Sequence, residues 1–154
     1  MTKSTDLSCR CGKTRLEVRG KPIMVTECLC QSCRDAAKRL ANLSGAPNLL
    51  TSYSATPCAE YRKDRVRITS GRENLAEFRP SEDATSRRMV ATCCNTPLFL
   101  EMKGAHWLSV YLHLWPGARR PKLQLRTMAG DLDDPSRLPN GIPNLRTHSP
   151  LFYL

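Results

Sequence analysis

The chain has 154 residues, the size of one ordinary domain, and it is 40% hydrophobic but only 6% aromatic, so its core must be largely aliphatic. Eleven prolines and eight glycines argue against a helix bundle. The formal charge of +10, from 24 Lys and Arg against 14 Asp and Glu, favours anionic partners, without choosing between a small acidic molecule and a nucleic acid.

In chain order, Thr14 to Arg19 alternates, with Leu16 and Val18 on one face and Arg15, Glu17 and Arg19 on the other, which predicts a half-buried strand. Gly20-Lys21-Pro22 ends it, and Pro22 to Glu27 reads as a second strand leading into Cys28. Ser32 to Leu43 reads as a helix, with an apolar stripe of Ala36, Ala37, Leu40 and Leu43 and Ser32 as the cap. Asn42 to Asn48 is a loop around Gly45 and Pro47. Tyr61 to Thr69 alternates again, with Val66 and Ile68 inward, and Ser70-Gly71 turns the chain. Pro97 to Met102 is a strand. His106 to Trp115 is apolar throughout, so periodicity leaves strand and short helix open. Lys122 to Thr127 is a further strand. From Ala129 to the end, prolines fall among polar residues, which predicts an irregular segment over 129–154. The expectation is one domain over 1–154, mostly β with one or two short helices.

Met1 to Arg10 is polar, and no run approaches the roughly 18 apolar residues of a membrane span. The chain therefore reads as cytoplasmic, with no membrane partner. Thiols stay reduced there, so eight cysteines read as metal ligands and not as disulfide partners. Seven of them cluster: Cys9 with Cys11, then Cys28, Cys30 and Cys33, then Cys93 with Cys94. Cys58 stands alone.

Cys28-Leu29-Cys30-Gln31-Ser32-Cys33 puts three thiols into six residues at a helix start, where the partial positive charge of the helix favours thiolates. Three ligands suit a catalytic zinc with an open position, and equally a closed structural site with a distant fourth ligand. Cys9 and Cys11 need a second pair to close a site, and Cys93-Cys94 supplies it. Strand geometry points adjacent residues to opposite faces, so Cys94 is favoured over Cys93, with Cys58 as the other source of a fourth ligand. His106, His113 and His148 lack zinc-finger spacing and read as structural.

Cys9-x-Cys11-Gly12, Cys28-x-Cys30-x-x-Cys33-Arg34, Ser70-Gly71, Cys94-Asn95-Thr96-Pro97-Leu98-Phe99 and Gly130-Asp131-Leu132-Asp133-Asp134-Pro135 occur in that order. Together they resemble the family of glutathione-dependent formaldehyde-activating enzymes and centromere protein V, over roughly residues 7 to 145. The resemblance implies an Mss4-like zinc-bound β-sandwich or β-tent. It implies a structural zinc at Cys-x-Cys with a later cysteine pair, and a catalytic zinc at Cys28, Cys30 and Cys33. It implies carbon–sulfur lyase chemistry on a small thiol adduct such as S-hydroxymethylglutathione, with Arg34 or nearby bases holding the substrate's carboxylates. One or two Zn²⁺ per chain are expected, with glutathione as the candidate substrate. Two positions differ from the family pattern: Ala91 stands where its later motif has a first cysteine, and Leu29 where its middle motif has a histidine.

The alternative reading is a non-catalytic zinc domain that binds nucleic acid or a protein partner through Arg62, Lys63, Arg65 and Arg67 or through Arg119, Arg120 and Lys122. The lack of interleaved aromatics counts against single-strand binding.

Overall fold

The computed structural model describes residues 3–148. Among them are ten strands and one α-helix: β1 (Ser4–Ser8), β2 (Arg15–Arg19), β3 (Met24–Cys28), α1 (Gln31–Ala41), β4 (Thr56–Arg62), β5 (Val66–Ser70), β6 (Leu75–Phe78), β7 (Ser86–Ala91), β8 (Thr96–Met102), β9 (Trp107–Tyr111) and β10 (Leu125–Thr127). The mostly β expectation holds.

The strands form two open sheets, one of order β1-β2-β5 and one of order β10-β3-β4-β9-β8-β7-β6. All pairings are antiparallel except β10 on β3. The main core lies between the sheets. Leu7, Leu16 and Val18 of the small sheet cluster there with Ala59, Tyr61, Leu98, Leu108 and Val110 of the large one. Successive strand residues face opposite ways. The other face of the large sheet is therefore set by the intervening residues: Thr56, Cys58 and Glu60 on β4, and Trp107, Ser109 and Tyr111 on β9. These line a cavity of about 400 Å³. The helix lies by that face, with Ala37 and Leu40 clustered against Leu49, Cys58, Val90 and Tyr111.

Several expectations need correction. Tyr61 to Thr69 is not one strand. Tyr61 and Arg62 end β4 in the large sheet, a 3₁₀ turn at Lys63–Arg65 redirects the chain, and β5 joins the small sheet. Val66 and Ile68 do pack against the core, so the inward face is right although the strand is broken. His106 to Trp115 resolves into β9 followed by a 3₁₀ turn at Leu112–Leu114. Its missing periodicity reflects burial on both faces of a mid-sheet strand. The helix starts one residue earlier than Ser32 and ends before Leu43, which is 39% exposed. Only Leu125–Thr127 of the Lys122–Thr127 segment is strand. The irregular 129–154 segment is observed as such as far as residue 148, with 3₁₀ turns at Ala129–Asp131 and Pro135–Arg137; residues 149–154 lie outside the described residues. Ala129 and Leu138 pack there on Leu29. No helix among the described residues is long and apolar enough to cross a membrane.

Candidate metal centres

The first cysteine group joins two turns. Cys9 and Cys11 lie between β1 and β2, and Cys93 and Cys94 lie between β7 and β8. Their four Sγ atoms lie within 4.8 Å of one another. Cys9 Sγ is 3.6 Å from both Cys11 Sγ and Cys93 Sγ, and Cys93 Sγ is 3.9 Å from Cys94 Sγ. Metal–sulfur bonds of about 2.3 Å in a tetrahedron separate the sulfurs by about 3.8 Å. The group thus has the donors and the spacing for a four-coordinate ion.

Cys93 belongs to this group as fully as Cys94 does. The alternation that disfavoured it does not operate, because Thr92–Asn95 is a turn, with Asn95 at φ 56°. Ala91 is fully buried in the core, and Cys93 brings a sulfur to the group two residues later. Cys58 is outside both groups; it is buried on β4. Polar donors surround the sulfurs. The Thr14 N–H donates to Cys9 Sγ at 3.3 Å, and the Thr96 hydroxyl is 3.0 Å from Cys94 Sγ. Against the cost of burial, the Thr96 hydroxyl and neighbouring donors from Cys11 and Cys9 hold the Cys94 thiol down at about 6. Gly71 is required beside this turn. Its φ is +76°, and a Cβ there would stand 2.5 Å from the Lys13 carbonyl oxygen.

The second group comes from one short segment. β3 delivers Cys28, and Cys30 is the N-cap of α1, its Sγ accepting the Cys33 N–H at 3.3 Å. The cap is therefore a thiol and not Ser32. The Sγ atoms of Cys28, Cys30 and Cys33 lie within 4.8 Å of one another, with Cys33 to Cys28 at 3.7 Å. No fourth Cys, His, Asp or Glu joins them among the described residues. Hydrogen bonds from Cys28 and Cys33 pull the Cys30 thiol far down; the bond to Cys30 together with burial pushes Cys28 up, and the bonds to Cys28 and Cys30 together with burial push Cys33 up. Leu29 points away from the sulfurs into the cluster of Ala55, Ala129 and Leu138 and is fully buried. Leucine at this position is thus a packing choice.

All three thiols of this group line the 400 Å³ cavity. So does Arg88, only 2% exposed, whose Nη2 donates to Cys33 Sγ at 3.7 Å and whose Nη1 donates to Ser86 Oγ at 3.4 Å. No carboxylate pairs with Arg88 among the described residues. Asp131 lines the cavity too, and its Oδ2 accepts the Gln31 N–H at 3.0 Å at the helix start. Arg34 is not among the cavity-lining residues. Its Nη2 donates to the Asp131 carbonyl and to Gln31 Oε1, each at 2.8 Å, so it fastens the 129–131 turn to the helix.

Sequence reasoning missed Arg88, Glu60 and Tyr111. A signal was present for one of them: Thr56-x-Cys58-x-Glu60 is a polar face alternating with Pro57, Ala59 and Tyr61. Arg88 carried none, because an arginine in a strand reads as solvent-facing. Of the three histidines, His113 bonds the Pro97 carbonyl at 2.9 Å, His148 lines the cavity, and none joins a cysteine group.

The sequence pattern of the family described as glutathione-dependent formaldehyde-activating enzyme matches residues 4–114, which contain both cysteine groups. No curated protein matches the chain. The crystal structure of a Rhodobacter sphaeroides protein is similar in fold, with a TM-score of 0.53 and 16% identity over 91% of this chain and 99% of that one. The fold is of the Mss4-like β type, and the chain belongs to the glutathione-dependent formaldehyde-activating enzyme family.

Proposed function

We propose that both cysteine groups hold zinc, and that the Cys28–Cys30–Cys33 group is the working site of a carbon–sulfur lyase acting on a small thiol adduct of the S-hydroxymethylglutathione kind. The observation that carries this reading is the placement of three unclosed sulfurs on the wall of a 400 Å³ cavity. Zinc held there would supply a Lewis acid that favours the thiolate form of a sulfur ligand near neutral pH.

The chain's own residues have separate tasks. Arg88, held against Cys33 by Ser86 and the cavity wall, offers a guanidinium without a carboxylate partner to a substrate carboxylate or to a sulfur that gains charge. It takes the role that the sequence reading gave to Arg34. Asp131 and Arg34 fix the helix start on which Cys30 and Cys33 ride. The Cys9–Cys11–Cys93–Cys94 group contributes nothing to the cavity lining and is assigned a structural zinc. No observation favours the nucleic-acid reading. In the first basic stretch Arg62 pairs with Asp64, Lys63 with Glu101 and Arg67 with Glu17.

Metal analysis with calorimetry tests the proposal. The wild type should carry two zinc ions per chain and bind glutathione, more tightly as pH rises and more weakly as salt increases. Cys30→Ser should lose one zinc and the thiol binding together. Thiol binding that survives in a Cys30→Ser protein would end the reading.

A further inference from the structure

Glu60 is 5% exposed and faces the same cavity. Its Oε2 accepts the Ser109 hydroxyl at 2.5 Å and its Oε1 accepts the Thr26 hydroxyl at 3.3 Å. No cation pairs with it among the described residues. A second buried carboxylate, Glu27, shows the usual solution. Its Oε2 takes Arg126 Nε at 3.1 Å and the Tyr53 hydroxyl at 2.5 Å, so its countercharge lies within the protein. Glu60 has only two neutral donors. Burial accordingly pushes its carboxyl up to about 7, with the Ser109 and Thr26 hydroxyls opposing.

Glu60 stands too far from the cysteine trio to move protons there. Cys28 pairs with Thr56 in the β3–β4 register, and Glu60 lies four residues farther along β4. At roughly 3.3 Å per residue that is about 13 Å. Proton transfer needs hydrogen-bond reach or a single bridging water. The span instead matches an extended ligand with its sulfur at the trio and a second group at Glu60. Trp107 lines the cavity two residues before Ser109 on β9, next to Glu60's own register partner. An aromatic ring beside a carboxylate is the chemistry that receives an ammonium group.

We infer that Glu60 determines specificity by pairing with an ammonium group on the substrate, so that the cavity selects extended, amino-bearing thiols over simple alkyl thiols. This rests on the thiol-adduct reading of the same cavity. Arg88 and Glu60 would then give one cavity a buried cation and a buried anion, both answered by a zwitterionic ligand.

Calorimetry on the zinc-loaded full chain compares glutathione with a deaminated analogue in which hydrogen replaces the α-amino group. The wild type should bind glutathione about tenfold more tightly than the analogue. Glu60→Gln keeps the shape, its amide N–H₂ donating to one of the two hydroxyls where the carboxylate accepted, and should bring that ratio close to one, while the affinity for the analogue stays unchanged. Glu60→Asp keeps the charge and should retain a preference, which covers the case of a Gln variant that does not fold. Equal wild-type affinities, a ratio that survives in Glu60→Gln, or an equal loss for both ligands would overturn the inference. The same pair methylated on sulfur separates the two ideas. An amine preference that persists when methylation costs no affinity breaks the thiol reading alone. Sulfur-dependent binding without amine preference breaks this inference alone.

Discussion

The two cysteine groups use the same atoms at nearly the same spacing, yet the fold treats them differently. Cys9, Cys11, Cys93 and Cys94 bring four sulfurs from segments more than eighty residues apart, with Cys9 and Cys93 Sγ 3.6 Å from each other. An ion there would complete its shell with protein and tie the β1–β2 turn to the β7–β8 turn. Cys28, Cys30 and Cys33 bring three sulfurs from one strand end and the adjoining helix start, and face a cavity. An ion there would tie together little that is not already connected. Chain separation of the ligands therefore sorts a group that would cross-link the fold from one that would not.

That contrast is sharpest in stability. Metal bound across distant segments contributes its binding free energy to folding, so its loss should remove several kcal/mol. Cys94→Ser or full chelation should lower the Tm steeply, whereas Cys30→Ser should remove its zinc with a far smaller shift. Differential scanning of the three proteins beside their zinc contents checks this. Equal Tm losses in the two variants would erase the distinction between the groups.

Much of this contrast was legible in the sequence. Close cysteine spacing announced both groups, and the 3.6-residue stripe Ala36, Ala37 and Leu40 announced the helix that carries one of them. What stayed hidden depended on turns and on which face of a sheet is covered. Cys93 was disfavoured by a strand rule that a turn at Thr92–Asn95 suspends. β4 and β7 escaped notice because each has two useful faces, one in the core and one on the cavity: the alternation of Thr56, Cys58 and Glu60 with apolar residues was there in β4 but went unread, and Arg87-Arg88 makes β7 look solvent-facing. Arg34 lies next to Cys33 in the chain, but its place on the helix turns it toward Asp131 and not toward the cavity. Proximity in sequence does not show this direction; the packing of the 129–131 turn does.

The next effect concerns the open group alone. Arg88 is a buried cation held by Ser86, Cys33 and Tyr111, with no carboxylate partner among the described residues. Arg88→Met should weaken glutathione binding about tenfold or more and reduce its salt dependence, with the closed group's zinc retained. Arg88→Lys should fall between, since it keeps the charge but not the planar fork. Binding titrations at two salt concentrations would decide. Wild-type affinity in Arg88→Met would confine this arginine to balancing the trio's own thiolates.

The last expected effect separates the far end of the cavity from both metal groups. The Glu60 carboxyl is raised from 4.5 to about 7 by burial, so the folded chain holds this proton more tightly than the unfolded chain does. For a carboxyl raised in this way, the stabilising share is present below pH 4.5 and is lost as pH rises toward 7. Above that range the buried charge costs up to about 3 kcal/mol, at 1.36 kcal/mol per pH unit. Glu60→Gln cannot ionise and has no such loss. At pH 5 the variant should be nearly as stable as the wild type, and at pH 8 it should be the more stable of the two. The thiols also titrate over this range, but they do so in both proteins, so the difference between them isolates Glu60. Urea unfolding at the two pH values measures it. A wild-type minus variant gap that is the same at pH 5 and pH 8 would show that Glu60 already has its countercharge in the folded chain, and the contrast with Glu27 would fall with it.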